Sequence, residues 1–217
     1  YYDSTQKLIE VSVAYGEERH IFLPDSSEIW LNAGTTIKYP QKFRGNQRLV
    51  WLNGEAYFSV KNDKLKAFIV QTEQLSVKVL GTRFNVKAYA GEEKTITTLT
   101  SGKVEVNIDD ESRALIPNEQ FTFNSRTSSI EIVQIAPNEA QGWITGQLIF
   151  NNSSFNEILQ TLERRFDVSF YNNTSIASSR LYTVKFLKDE NIEDILDVLV
   201  DVAGFTYQKE NDKIILN

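Results

Sequence analysis

The sequence predicts a mainly β chain closed by a small α+β module. Three observations carry this reading. Over the first two-thirds, short apolar runs alternate with polar residues and are separated by Gly, Asn and Asp, the pattern of half-buried strands joined by tight turns. After Ala136-Pro137-Asn138-Glu139 the apolar spacing lengthens to that of helices. In that last third the order strand, helix, strand occurs twice, as in a module built from repeated βα units.

The elements follow in order. Val11–Tyr15 alternates and turns at Gly16; Ile21-Phe22-Leu23 stops at Pro24-Asp25-Ser26-Ser27; Ile29-Trp30-Leu31 ends at Asn32-Ala33-Gly34. Leu49-Val50-Trp51-Leu52 runs into Asn53-Gly54, a hairpin signal because both central residues of a type I′ turn need positive φ. Ala56–Val60 is read as the returning strand. Phe68–Val70, Leu75–Val79, Phe84–Ala88 after Gly81, Val104–Ile108, Phe121–Phe123 and Ile130–Ile132 complete the series. Many short strands with such turns suit a sandwich, a barrel or a solenoid, and periodicity does not choose among them.

Beyond Pro137, Leu148-Ile149-Phe150 reads as a strand. Ser154 caps a helix, with Glu157 placed for a capping box, and Phe155, Ile158, Leu159, Leu162 and Phe166 form its apolar stripe. Val168-Ser169-Phe170 is a strand, then Val184-Lys185-Phe186. Asn191 caps a second helix with the stripe Ile192, Ile195, Leu196, Leu199 and Val202, and Gly204 suits its left-handed end. Phe205–Tyr207 and Ile214–Leu216 pair around Asn211-Asp212. Both helices are expected on one face of a small shared sheet, which would bury the stripe that neither can bury alone. The expected domains are therefore an all-β domain, solenoid- or sandwich-like, over 1–137 and a two-helix α+β domain over 138–217.

Composition narrows the function. The 217 residues carry 23 Lys+Arg against 29 Asp+Glu, a net charge of −6, with 41% hydrophobic and 24% charged residues. That is a folded chain rather than a disordered one, and without a basic cluster it is a poor nucleic-acid binder. No apolar run approaches the roughly 18 residues of a membrane span. The absence of Cys excludes thiol catalysis and zinc–thiolate sites, and with His20 as the one histidine a Ser-His-Asp triad has almost no material. The chain opens Tyr1-Tyr2-Asp3 and contains no Met, as expected of a piece of a longer protein.

Candidate reactive groups resolve into structural ones. Gly81-Thr82-Arg83 lacks the surrounding phosphate-loop pattern and a following helix, so it reads as a bend. Gly54-Glu55 reads as a turn rather than a catalytic carboxylate. Asp109-Asp110-Glu111 and Asp189-Glu190 sit in polar turns, not across a cleft as paired catalytic carboxylates must. Trp30, Trp51 and Trp143 with nine Tyr could make a sugar-stacking platform, but Trp51 in an apolar strand reads as core.

A set of segments in fixed order resembles one family. These are Leu23-Pro24-Asp25-Ser26-Ser27-Glu28-Ile29-Trp30-Leu31-Asn32, Arg48–Val60, Val79-Leu80-Gly81-Thr82-Arg83-Phe84-Asn85-Val86, Leu99-Thr100-Ser101-Gly102-Lys103-Val104, and Gly142-Trp143 with Leu148–Asn152. The chain resembles the periplasmic part of FecR-type anti-sigma regulators, followed by a domain similar to the short N-terminal domain of secretins and TonB-dependent receptors. It departs from the family where Ser26 replaces the usual Gly and Ala67 the usual Pro; Ser26 must make its turn without glycine's freedom.

The resemblance implies a periplasmic, non-enzymatic signalling segment of a single-pass inner-membrane protein, this fragment itself being soluble, with no cofactor or metal. Its partners would be the signalling domain of an outer-membrane TonB-dependent receptor and, through a cytoplasmic segment outside this chain, an extracytoplasmic-function sigma factor. Residue reading adds a route of recognition: unpaired strand edges at Leu181-Tyr182-Thr183 and Ile214-Ile215-Leu216, open to a partner's strand. The alternative from another class is a carbohydrate-binding β-module with an accessory domain.

Overall fold

Alternating side chains build thirteen strands between Leu8 and Gln134 in the computed structural model, which describes residues 7–136, 139–177 and 179–217. The strands are β1 (Leu8–Ser12), β2 (Arg19–Phe22), β3 (Glu28–Leu31), β4 (Thr36–Pro40), β5 (Gln47–Ser59), β6 (Ala67–Gln71), β7 (Ser76–Val79), β8 (Arg83–Ala88), β9 (Lys94–Ser101), β10 (Val104–Ile108), β11 (Glu111–Leu115), β12 (Glu119–Asn124) and β13 (Ser129–Gln134). They form one continuous sheet that curls into two layers. One layer runs β1-β4-β5-β6-β7-β10-β11, the other β2-β3-β5-β8-β9-β12-β13. Strand β5 belongs to both. Its first half pairs with β4 and β6, its second with β3 and β8.

The expected Asn53-Gly54 hairpin does not form. Both residues lie inside β5, which has 13 residues. Gly54 has φ +126°, a backbone conformation that side chains rarely adopt, and close packing demands glycine as well: a Cβ there would lie 2.5 Å from Thr35 Oγ1 and 2.6 Å from Thr35 Cα. Thr35 Oγ1 accepts from the Glu55 N–H and donates to the Glu55 carbonyl, so the turn before β4 presses directly on β5. Glycine thus signals close approach of two backbones here, not a reversal.

Alternation along β5 turns Arg48, Val50, Leu52, Ala56 and Phe58 to the core, and leaves Trp51 half-buried on the outward side. The expected burial of Trp51 in the core is therefore corrected by parity alone. Phe58 stacks on Phe84 within its layer at 4.9 Å between centroids and meets Phe68 of the opposite layer edge-on at 6.1 Å, geometries that suit aromatic quadrupoles.

Strands β4, β9 and β11 lie outside the runs read from the sequence. Strand β9 buries Thr95, Thr97 and Thr98 beside Leu99; threonine's branched Cβ suits a strand although it breaks an apolar count. Edge strand β11 is exposed except at Leu115.

The second unit comprises Gly142–Asn217 together with Tyr15–Glu17. Pro137, the expected boundary, lies outside the described residues. Its elements are β14 (Leu148–Ser154), α1 (Phe155–Phe166), β15 (Ser169–Asn172), β16 (Leu181–Phe186), α2 (Ile192–Ala203), β17 (Tyr207–Glu210) and β18 (Lys213–Leu216). Ser154 and Glu157 form the full capping box of α1, and Asn191 caps α2 through the Asp194 N–H. Gly204 ends α2 in the left-handed conformation, its N–H donating to the Val200 carbonyl. Both stripes are buried as read, except that Phe166 is half-buried and Val202 is exposed, Ala203 taking the inward place instead.

One expectation fails in the second unit. The strands form two sheets, not one: β14 pairs with β16, and β15-β18-β17 make a three-stranded sheet. Both helices and both sheets contribute to a single core containing Phe155, Leu162, Phe186, Leu196, Phe205 and Ile214.

Candidate protein-interaction site

Strand addition needs a strand with one unpaired side. Strand β16 has it, since among the described residues it pairs only with β14. Alternation exposes Leu181 and Thr183 and buries Tyr182, which is 4% exposed. Tyr182 therefore belongs to the core, packed near Phe155 and under the Arg180 guanidinium, and its side chain is not available to a partner. Arg180 also donates to the carbonyls of Val202 and Ala203, satisfying acceptors that a helix end leaves open. A bulge in β14 between Phe150 and Ser153 faces this strand, and the Asn152 N–H donates to Thr183 Oγ1.

Strand β18 is not an edge. Ile214, Ile215 and Leu216 lie between β15, running parallel, and β17, running antiparallel. Ile214 and Leu216 are fully buried. The missed signal is the parallel return of β15, which periodicity does not report. A proline at Ile215 would break a central ladder and unfold the sheet rather than test an edge.

Elsewhere, charged groups serve the fold. The Glu55 carboxylate accepts from the side-chain amides of Asn32 and Asn85. Glu193 accepts from Lys209 at 2.6 Å, which holds its carboxyl below its ordinary pKa. Burial, and then the hydrogen bond to Asp197, push the Tyr207 hydroxyl up. No group of three or more metal-ligating side chains occurs among the described residues. His20 stacks on Trp30 at 4.4 Å and lies 3.3 Å from Glu28. Trp30 and Trp51 point outward from opposite layers, so they do not share a stacking surface.

A feature the sequence reading passed over is Arg48, 2% exposed. Its Nη1 donates to Asp25 Oδ2 at 2.7 Å and to the Lys61 carbonyl at 2.8 Å; Nε donates to the Lys66 carbonyl and Nη2 to that of Leu80. Asp25 in turn accepts from the Ser27 N–H and hydroxyl. One guanidinium thus ties together three loops. Its inward parity with Val50 and Leu52 was the available signal.

The model for the FecR protein matches residues 9–105, and that for FecR, C-terminal, matches 147–216. The chain belongs to the FecR family. The structure of a candidate anti-sigma factor from Parabacteroides distasonis, solved in two crystal structures, superposes on this FecR-family chain with a TM-score of 0.92 and 34% identity. The superpositions cover 96% and 97% of this chain and 98% of that one. No curated protein matches. The family makes this FecR chain an anti-sigma regulator, a signalling rather than a catalytic role. The Arg48–Asp25 tie and the Ser26 turn lie within the first matched segment, β16 within the second. No described helix is long and apolar enough to cross a membrane.

Proposed function

We propose that this chain is the periplasmic sensing segment of a membrane-anchored FecR-type regulator. It binds the signalling domain of an outer-membrane TonB-dependent receptor and thereby controls an extracytoplasmic-function sigma factor, through a cytoplasmic segment outside these 217 residues. The reading places the two domains at 1–137 and 138–217 and the contact on the second. The observation that carries it is the free side of β16 in the segment matched by the C-terminal family model. Its open N–H and C=O groups offer a ladder to an incoming strand, with Leu181 and Thr183 flanking it. Ile214–Leu216 lies inside the other sheet, between β15 and β17, where strand addition has no free side to use.

Calorimetric titration with the signalling domain of a receptor encoded beside this gene tests the reading. Saturable binding is expected, weakened at least tenfold by Leu181→Asp with Thr183→Asp while the melting temperature holds. Absence of binding to the unaltered chain would refute the receptor assignment; binding undiminished in the double variant would move the contact off β16.

A further inference from the structure

Two of the loops that Arg48 ties together, β2–β3 and β5–β6, border with the β4–β5 loop an open cleft of about 580 Å³, lined by Pro24, Lys42, Phe43, Lys61, Asp63 and Lys66 among others. Its charge runs against that of the chain. The whole molecule is −6, yet the cleft is ringed by Lys42, Lys61 and Lys66 over the Arg48–Asp25 pair. Asp63 is engaged by its own loop, accepting from the N–H groups of Leu65 and Lys66, and Lys66 donates to the Phe43 carbonyl. Neither Lys42 nor Lys61 ion-pairs with a described residue. Exposed Arg44 and Lys64 extend the β4–β5 and β5–β6 loops, and Leu65 beside them is 94% exposed.

We propose that this cleft docks an acidic segment of a partner polypeptide, carrying several carboxylates and an apolar residue that meets Leu65 and Phe43. The chemistry favours a multivalent chain over a small anion. A small carboxylate or phosphate is best oriented by a guanidinium fork, and the Arg48 fork, 2% exposed, gives four of its five N–H donors to Asp25 and three carbonyls. What remains is a ring of flexible cations, the ammonium groups of Lys42, Lys61 and Lys66 in the cleft with Arg44 and Lys64 on the loops outside it. Such a ring attracts an extended acidic strand and speeds its encounter, while the apolar contact supplies the hold. The surface lies in the first unit and stands independently of the β16 edge.

The test uses the ¹⁵N-labelled 217-residue chain at low ionic strength. The probe is a capped peptide Glu-Glu-Leu-Asp-Glu-Glu, with Gln-Gln-Leu-Asn-Gln-Gln and inorganic phosphate as comparisons. The acidic peptide is expected to shift the amides of Lys42–Arg44 and Lys61–Lys66, and to lose that effect as salt screens the charges. Lys42→Glu with Lys61→Glu is expected to weaken binding at least tenfold; should that pair lower the melting temperature, Lys42→Gln with Lys61→Gln is read in its place. The proposal is overturned if those amides do not move, if the neutral peptide moves them equally, or if the variants bind as well as the parent. Saturation by phosphate as tight as by the peptide would overturn it too, making the cleft a pocket for small anions.

Discussion

Replacing Arg48 by alanine is expected to destabilise the first unit by about 3–5 kcal/mol, the cost of removing one partner from a buried ion pair. The structure shows how the figure arises. The substitution strips the donor from Asp25 and from the carbonyls of Lys61, Lys66 and Leu80, and a buried acceptor left without a donor costs about 1–3 kcal/mol. The simple sum would be larger. Water reaching the cleft offsets part of it, because the Asp25 side chain is 16% exposed and keeps its two bonds from Ser27. Urea denaturation followed by the fluorescence of Trp30 and Trp51, both in the first unit, reads the loss. At roughly 2–4 °C per kcal/mol for a domain of this size, the melting temperature should fall by roughly 6–20 °C. Arg48→Met combined with Asp25→Asn, which removes both charges, should recover at least half of it. A loss below about 1 kcal/mol in Arg48→Ala would show that the guanidinium does not hold these loops.

Three further outcomes are expected. Ser26 occupies φ +67°, a region that costs a non-glycine residue about 1–2 kcal/mol, so Ser26→Gly should raise the urea midpoint by the equivalent of about 1 kcal/mol at unchanged slope. Gly54→Ala should lower stability by more than about 2 kcal/mol, since its Cβ meets the Thr35 backbone and the residue keeps a positive φ; a thermal melt indistinguishable from the parent would contradict the close approach. Lys209→Gln should raise the Glu193 pKa in an NMR titration. In the parent that pKa is depressed, so the pair's contribution is present above the carboxylate's unfolded pKa and fades as pH falls through the folded one; the variant should lose that acid-side dependence.

Much of the second unit was legible because its signals are local. Ser154 and Glu157, Asn191, and Gly204 specify helix ends within four residues, and the apolar stripes need only the helical period. The strands of the first unit were legible where Val, Ile and Phe alternate, and lost at β9, where threonines fill the inward places, and at β11, which has almost no inward side. What local pattern could not supply was pairing. Asn53-Gly54 is the same dipeptide whether the chain reverses or runs on past Thr35, and Ile214–Leu216 looks alike at an edge or between two neighbours. The same gap hid the ionic cluster, since Asp25 and Arg48 are 23 residues apart and meet only once β3, β5 and β6 are in register.

That β5 is woven into both layers has a mechanical consequence. The layers cannot slide past each other or peel apart without breaking the hydrogen-bonded ladders that join β5 to one of them, so a pull applied at either rim is shared across the double sheet. Amides of Val50 to Phe58 should therefore be the last in this unit to trade their protons with solvent. A force applied to this unit would be passed on by a stiff body that gives almost nothing to internal shear.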